Sequence, residues 1–213
     1  MGKFNILMLN SDLPVFPGRA GHEYLHTTHL ARLGNRVGLV SLVHAREQDE
    51  KKHVLSDAGV CLYLWQDPNL DRFHPAESNN KPSFLRRIAK TIYIFGQTSL
   101  QRPQDTFVHD YTFRNFSVPF LEALKRDNWE AMIVVQSSCA RWLDFLRNFP
   151  ASVLVMHDVG SLVYGRRSKT AQFWNQRLVS LFGSWVYRAF ERSYCSKYDL
   201  IITVSSADEE WVR

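Results

Sequence analysis

Apolar residues fall in short runs along this chain, and polar loops or stretches of helical spacing separate one run from the next. "FNILMLN" (4–10), "RVGLVSLVH" (36–44), "VCLYLW" (60–65), "EAMIVVQ" (130–136), "SVLVMHD" (152–158) and the run at 199–204 read as buried strands. Residues 22–33 read as a helix that stops at Gly34, and 46–58 as a charged helix. Further helices are predicted over 83–97, 107–126, 138–148 and 171–197, and a last one opens with Ser206 and Glu209 as a capping box. Residues 66–82, with Pro68, Pro75 and Pro82, form a long loop, and "SDLPVFPGRAG" (11–21) is a Pro/Gly loop.

Six strands alternating with helices imply an α/β fold: a Rossmann-like parallel sheet with helices on both faces. Ligands of such sheets sit beyond the carboxyl ends of the strands. Candidate residues are therefore sought at 11–22, 44–46, 136–138, 157–167 and 205–208. After the first strand stand Gly18, Arg19, Gly21 and His22. Glycines let backbone N–H groups approach a phosphate, the helix start adds partial positive charge, and Arg19 can pair with an anion. Gln136, Arg166 and Ser205 lie in three of the later windows, and Ser206 beside Ser205 reads as a helix cap. His157 and Asp158 end "SVLVMHD", where an imidazole can hydrogen-bond a reacting group and a carboxylate can orient it; the bland reading is that both cap the next loop. A G-x-G-x-x-G and an acidic end to the second strand ("SLVHAR") are both missing, so the NAD fingerprint is not met.

Composition changes this picture little. The chain has 213 residues, 45% of them hydrophobic and 22% charged, which suits one large α/β domain and no low-complexity segment. Three separated cysteines, Cys61, Cys139 and Cys195, form no C-x-x-C, which favours a reducing, cytoplasmic setting. The first residues lack the apolar core and cleavage site of a signal peptide, and no apolar stretch is long enough to cross a membrane. A net charge of +5 fits an anionic partner without choosing among phosphorylated ligands, membranes and nucleic acid. The chain ends a few residues into its last helix, so a longer protein is expected.

One stretch offers a competing chemistry. His22-Glu23-Tyr24-Leu25-His26 is an H-E-x-x-H sequence, which on a helix presents two imidazoles one turn apart with a glutamate as base. His29 extends the stripe, but the extended motif would need glycine there and histidine at Arg32. Leu25, Leu30 and Leu33 share the stripe and are expected to press onto the sheet, with His26 and His29 as half-buried packing residues. No metal is assigned, and a zinc hydrolase stands as the alternative.

"NILMLNSDLPVFPGRAGHEYLHTTHLARLGNRVGLVS" resembles the opening of retaining GT-B glycosyltransferases of family 4, with Gly18 and Gly21 in the loop, "LARL" (30–33) in the helix and "GNRV" (34–37) leading into strand two. Asn35 replaces the family's usual histidine. "SVLVMHDVGS" (152–161) resembles the family's strand ending in a His-Asp pair, and "ERSYCSKYDLIITVSSADEEWV" (191–212) its glutamate-to-aspartate element before an apolar strand and V-S. The resemblance implies that residues 1–213 are the N-terminal, acceptor-side domain, without the donor-binding domain. It implies transfer of a sugar from a nucleotide-diphosphate donor to a glycan, lipid-linked or other acceptor, with retention and without a cofactor. It sets His157 against the donor sugar. A non-catalytic Rossmann-like interaction module is a third reading.

Two segments bear on partners. Residues 166–197 carry seven Lys/Arg against one acid, Glu191, with Phe173, Trp174, Trp185 and Tyr187 among them. Such mixing suits single-stranded nucleic acid or a lipid interface; the expectation is a solvated basic face with its aromatics buried, and nucleic acid is not assigned. Residues 83–97 form an amphipathic basic pattern through Phe84, Ile88, Ile92 and Phe95, a candidate for peripheral contact with the inner membrane face.

Overall fold

The computed structural model describes residues 3–12, 21–42, 48–65, 118–144, 146 and 149–212. Six parallel strands form one sheet: β1 (Asn5–Asp12), β2 (Arg36–Leu42), β3 (Val60–Trp65), β4 (Ala131–Val135), β5 (Ala151–Met156) and β6 (Leu200–Thr203). Their spatial order is β3-β2-β1-β4-β5-β6, which is Rossmann-like. The order reverses between β1 and β4, paired from Ile6↔Ala131 to Leu9↔Val134. The chain leaves the two strands in opposite directions there, which is where sheets of this order hold their ligands, beyond the carboxyl ends.

The strands read as nearly continuous apolar runs because both faces of the sheet are covered. Alternate side chains of β1 enter separate cores. Leu7 and Leu9 join Trp142, Phe190 and Tyr194 on one face. Ile6 and Met8 join Leu39, Leu55 and Val60 on the other.

Around the sheet run α1 (Gly21–Arg32), α2 (Gln48–Asp57), α3 (Val118–Arg126), a 3-10 helix (Ser137–Asp144), α4 (Gly160–Thr170), α5 (Trp174–Cys195) and α6 (Ser206–Val212). Helix α1 ends as expected, with Gly34 in the left-handed region at φ 86°. Asn35 then fastens the turn: its Oδ1 accepts from Phe4 N at 3.1 Å and its Nδ2 donates to Leu30 O at 3.0 Å. The departure at Asn35 thus has a structural use.

Several expectations need correction. Helix α1 does not press Leu25 and Leu33 onto the sheet; they are 50% and 63% exposed, and His26 and His29 are exposed too. The covered face carries Glu23, Thr27 and Thr28, with Tyr24, Leu30 and Ala31 packing against the core. Threonines are tolerated there because their hydroxyls donate back to the helix, Thr27 to Glu23 O at 2.6 Å and Thr28 to Tyr24 O at 2.9 Å. The helix predicted over 138–148 is instead the 3-10 helix Ser137–Asp144. It starts directly after Gln136, whose φ of 78° reverses the chain, and Cys139 N donates to Gln136 O at 3.1 Å.

The helix predicted over 171–197 is α5, Trp174–Cys195, and a helix that the pattern did not predict, α4, precedes it over Gly160–Thr170. Helix α4 was not expected because it has no local capping side chain. Its support is tertiary: Tyr164 stacks on Tyr187 with ring centroids 5.3 Å apart. Two glycines allow the close approach, since a Cβ on Gly160 would lie 2.3 Å from Tyr187 and one on Gly183 2.7 Å from Tyr164. The aromatics of this segment are not all buried, because Phe173, Trp174 and Trp185 lie on the outward side of α5 and its N-cap. Finally, the cap of α6 is one residue earlier than predicted. Ser205 Oγ accepts from Asp208 N at 3.2 Å and donates to Asp208 Oδ2 at 2.6 Å. The loop 66–82, the 83–97 pattern and residues 107–117 of the predicted 107–126 helix lie outside the described residues.

Candidate functional site: a buried polar cluster at the switch point

Strand β1 ends its apolar run at Asn10, which is 1% exposed. Among the described residues, neither its amide nitrogen nor its amide oxygen has a hydrogen-bond partner. Burying an amide this way costs free energy, so such groups are rare in folded proteins unless a ligand or water completes them.

Beyond the following loop, α1 opens with Glu23 in its first turn, where the helix dipole favours a carboxylate. Glu23 is buried, and its Oε1 lies 3.4 Å from His157 Nε2. The contact lacks hydrogen-bond geometry, and among the described residues Glu23 Oε2 and His157 Nε2 are both buried without a hydrogen bond. His157 stands one residue past β5 and keeps a quarter of its side chain exposed. The pair therefore draws the chain after β1 to the chain after β5, the strands that flank β4. At the end of β4 itself, Gln136 holds its left-handed backbone, with its N–H donating to Val155 O at 2.8 Å. A non-glycine residue there costs on the order of 1 kcal/mol or more, and such strain gathers at functional sites.

Next to this unsatisfied cluster is a satisfied one. Glu191, on α5, is 5% exposed and accepts from Gly160 N at 2.6 Å, from Ser161 N at 3.4 Å and from the Ser161 hydroxyl. Ser137 bonds it as well. It supplies from 30 residues away the cap that α4 lacks locally. Burial is the largest influence on its acidity and raises its pKa, against the pull of these donors. Asp199, eight positions on, accepts from Ser152 N at 2.7 Å and Ser152 Oγ at 2.8 Å, which hold its pKa below the ordinary value. Both acids of the 191–199 element thus do structural work at β5.

The sequence candidates separate accordingly. His157 and Gln136 stand at the switch-point rim. Asp158 follows His157 but is exposed, and the carboxylate that meets the imidazole is Glu23. Gly21 is the first residue of α1, and His22 is exposed on that helix. Arg166 is exposed within α4, and Ser205 is occupied as the cap of α6. Gly18 and Arg19 lie outside the described residues. In the H-E-x-x-H sequence, His22 and His26 turn to solvent while Glu23 turns inward to His157. Among the described residues, no three His, Cys, Asp or Glu converge as a metal-binding group. Residue-by-residue reading missed Asn10 as a site residue; its signal was a polar side chain closing an otherwise apolar strand.

No family model matches this chain, and no curated protein is significantly similar to it. Among the described residues, no helix is long and apolar enough to cross a membrane.

Proposed function

We propose that this chain is the acceptor-side domain of a retaining GT-B glycosyltransferase resembling family 4. The observation that carries the reading is that Asn10 at the end of β1, and the Glu23–His157 pair beyond β1 and β5, hold buried polar atoms with no hydrogen bond among the described residues. An amide offers both donor and acceptor, a carboxylate oxygen accepts, and an imidazole nitrogen does either according to its protonation. A ligand with several hydroxyl groups answers all three, since each hydroxyl donates once and accepts twice. A sugar is such a ligand. Its binding would relieve the cost of the buried unpaired atoms and turn it into selectivity for hydroxyl-bearing substrates.

In this reading His157 contacts the transferring sugar, and Glu23, with Oε1 beside His157 Nε2, positions the imidazole while its other oxygen is offered to a hydroxyl. Asp158, exposed beside them, is available to an acceptor hydroxyl. The nucleotide-diphosphate end of the donor is held mainly by a partner domain of the same protein. No cofactor is assigned.

The test is sugar transfer by a protein carrying this domain with its donor-binding half, assayed against a panel of nucleotide sugars. Transfer that fails on His157→Ala while the protein stays folded supports the reading. Absence of transfer with every donor, together with metal-dependent hydrolysis that needs His22 and His26, would favour the zinc alternative. Absence of any catalysis would favour the interaction module.

A further inference from the structure

Helix α5 is apolar on two opposite sides. One side enters the core through Val186, Tyr187, Phe190 and Tyr194. The other carries Trp174, Leu178, Leu181 and Trp185 at intervals of four, three and four, which is one stripe on a helix. These four are 77%, 55%, 51% and 62% exposed, and Phe173 at the N-cap is 61% exposed. A solvated helix face does not normally carry two tryptophans and two leucines in line.

The charges around the stripe say what covers it. From Val159 to Phe190 there is no aspartate or glutamate, while Arg166, Arg167, Lys169, Arg177 and Arg188 are all exposed. The surface is thus apolar along its axis and basic at its margins. Tryptophan prefers the headgroup level of a bilayer, where its ring is apolar and its N–H remains wet. Arginine and lysine reach from that level to lipid phosphates. The 22-residue helix is not apolar enough to cross a membrane, so it suits the plane of the interface.

We infer that the outward face of α5, flanked by the basic surface of α4, is a docking surface for an anionic lipid bilayer. The inference stands apart from the proposed function, because it uses no residue of the Asn10–Glu23–His157 cluster. It also assigns the membrane contact to a different segment from the 83–97 pattern. Docked this way, the protein lies along the bilayer and is held by both burial of the stripe and attraction to headgroups.

The experiment is co-sedimentation of the purified chain with vesicles of phosphatidylcholine alone and of phosphatidylcholine with 40% phosphatidylglycerol, chosen as about the charge of a strongly anionic membrane. The expected result is binding to the anionic vesicles at least tenfold stronger than to the neutral ones, weakening as salt rises. Trp174→Ser with Trp185→Ser should lower that binding tenfold or more, and so should Lys169→Glu with Arg188→Glu. Thermal melts of both double variants guard against misfolding; should either fail to fold, Leu178→Ser and Lys169→Ala are used in its place. Equal binding to both vesicle types, no binding, or binding indifferent to both sets of changes overturns the inference. So does a concentration-dependent dimer that Trp174→Ser abolishes without any lipid effect, since a second copy would then be the occupant.

Discussion

Two buried glutamates lie near the carboxyl rim of one sheet and have opposite surroundings. Glu191 meets two backbone N–H groups and two serines, and the start of α4 depends on it. Glu23 meets one imidazole nitrogen at 3.4 Å and, among the described residues, leaves an oxygen without a hydrogen bond. A carboxylate whose partners are all supplied by the chain is architecture. One whose partners are incomplete weakens the fold, and a fold keeps it where something else completes it. The same residue type at the same depth therefore marks a strut in one place and a candidate binding group in the other.

The contrast is broken most severely at the strut. Glu191→Ala removes the cap of α4 and strands Gly160 N, Ser161 N and the Ser161 hydroxyl. A loss of about 3 kcal/mol is expected from several unsatisfied buried donors, measured by urea unfolding. A loss under about 1 kcal/mol would mean that the region relaxes and the strut is dispensable. Because burial raises the Glu191 pKa, its contribution is fully present below the unfolded carboxylate value and fades as pH rises through the folded one. Glu191→Gln should flatten that part of the stability-pH curve.

At the other cluster the expected effect falls on turnover. His157→Ala should lower kcat about 100-fold in the complete enzyme, equivalent to about 2.7 kcal/mol of transition-state stabilisation. It should lower kcat more than it raises the donor KM. Steady-state kinetics beside a melt decide this, and an unchanged kcat in a folded protein would leave His157 as a loop residue.

A smaller and more telling effect is expected at Glu23. Glu23→Gln should cost about tenfold in kcat/KM through loss of imidazole positioning, yet leave stability unchanged or raise it by up to about 1 kcal/mol. A clear drop in stability would place Glu23 in the same class as Glu191 and dissolve the comparison.

The smallest effect belongs to a half-exposed control at the other rim. Asp127 accepts from Tyr63 Oη and from Arg36 Nη2, the latter at 2.9 Å. The Tyr63 bond first, and Arg36 second, lower its pKa from 3.8. Stability from this group is present above that value and lost as pH falls through the lowered pKa. Asp127→Asn should cost under about 1 kcal/mol, less in high salt; a melt at two ionic strengths tests it.

The sheet was legible in the sequence because each strand is a compact apolar run, and "VCLYLW" gave β3 to the residue. The turn at Gly34 was legible because only a left-handed residue closes α1 there. Helix α4 was not, since its cap is a glutamate on another helix and its packing rests on glycines that read as breakers. The burial of α1 was misread because Thr27 and Thr28 hide their hydroxyls against the backbone, which no hydropathy pattern records. At the site, His157 could be read from its place after a strand. Glu23 was visible only as part of a zinc motif, because its partner lies 134 positions away, from 23 to 157. Asn10 was passed over as the polar edge of a strand, although it is as deeply buried as the leucines before it.

The order of the strands also sets a timetable. Strand β1 pairs β2 early in the chain, but its other edge waits for β4, whose entry is marked by Asn5 N bonding Glu130 Oε2 across 125 residues. During synthesis at about 5–20 residues per second, that edge stands open for several seconds or more. An unpaired apolar strand edge is a template for wrong partners, so the emerging amino-terminal half needs a chaperone more than the finished domain does. The site at the switch point is completed later still, because His157 lies past β5, which joins the far edge of β4. Asn10 and Glu23 therefore wait for their imidazole until β5 has joined the sheet, which puts ligand binding among the last events of folding.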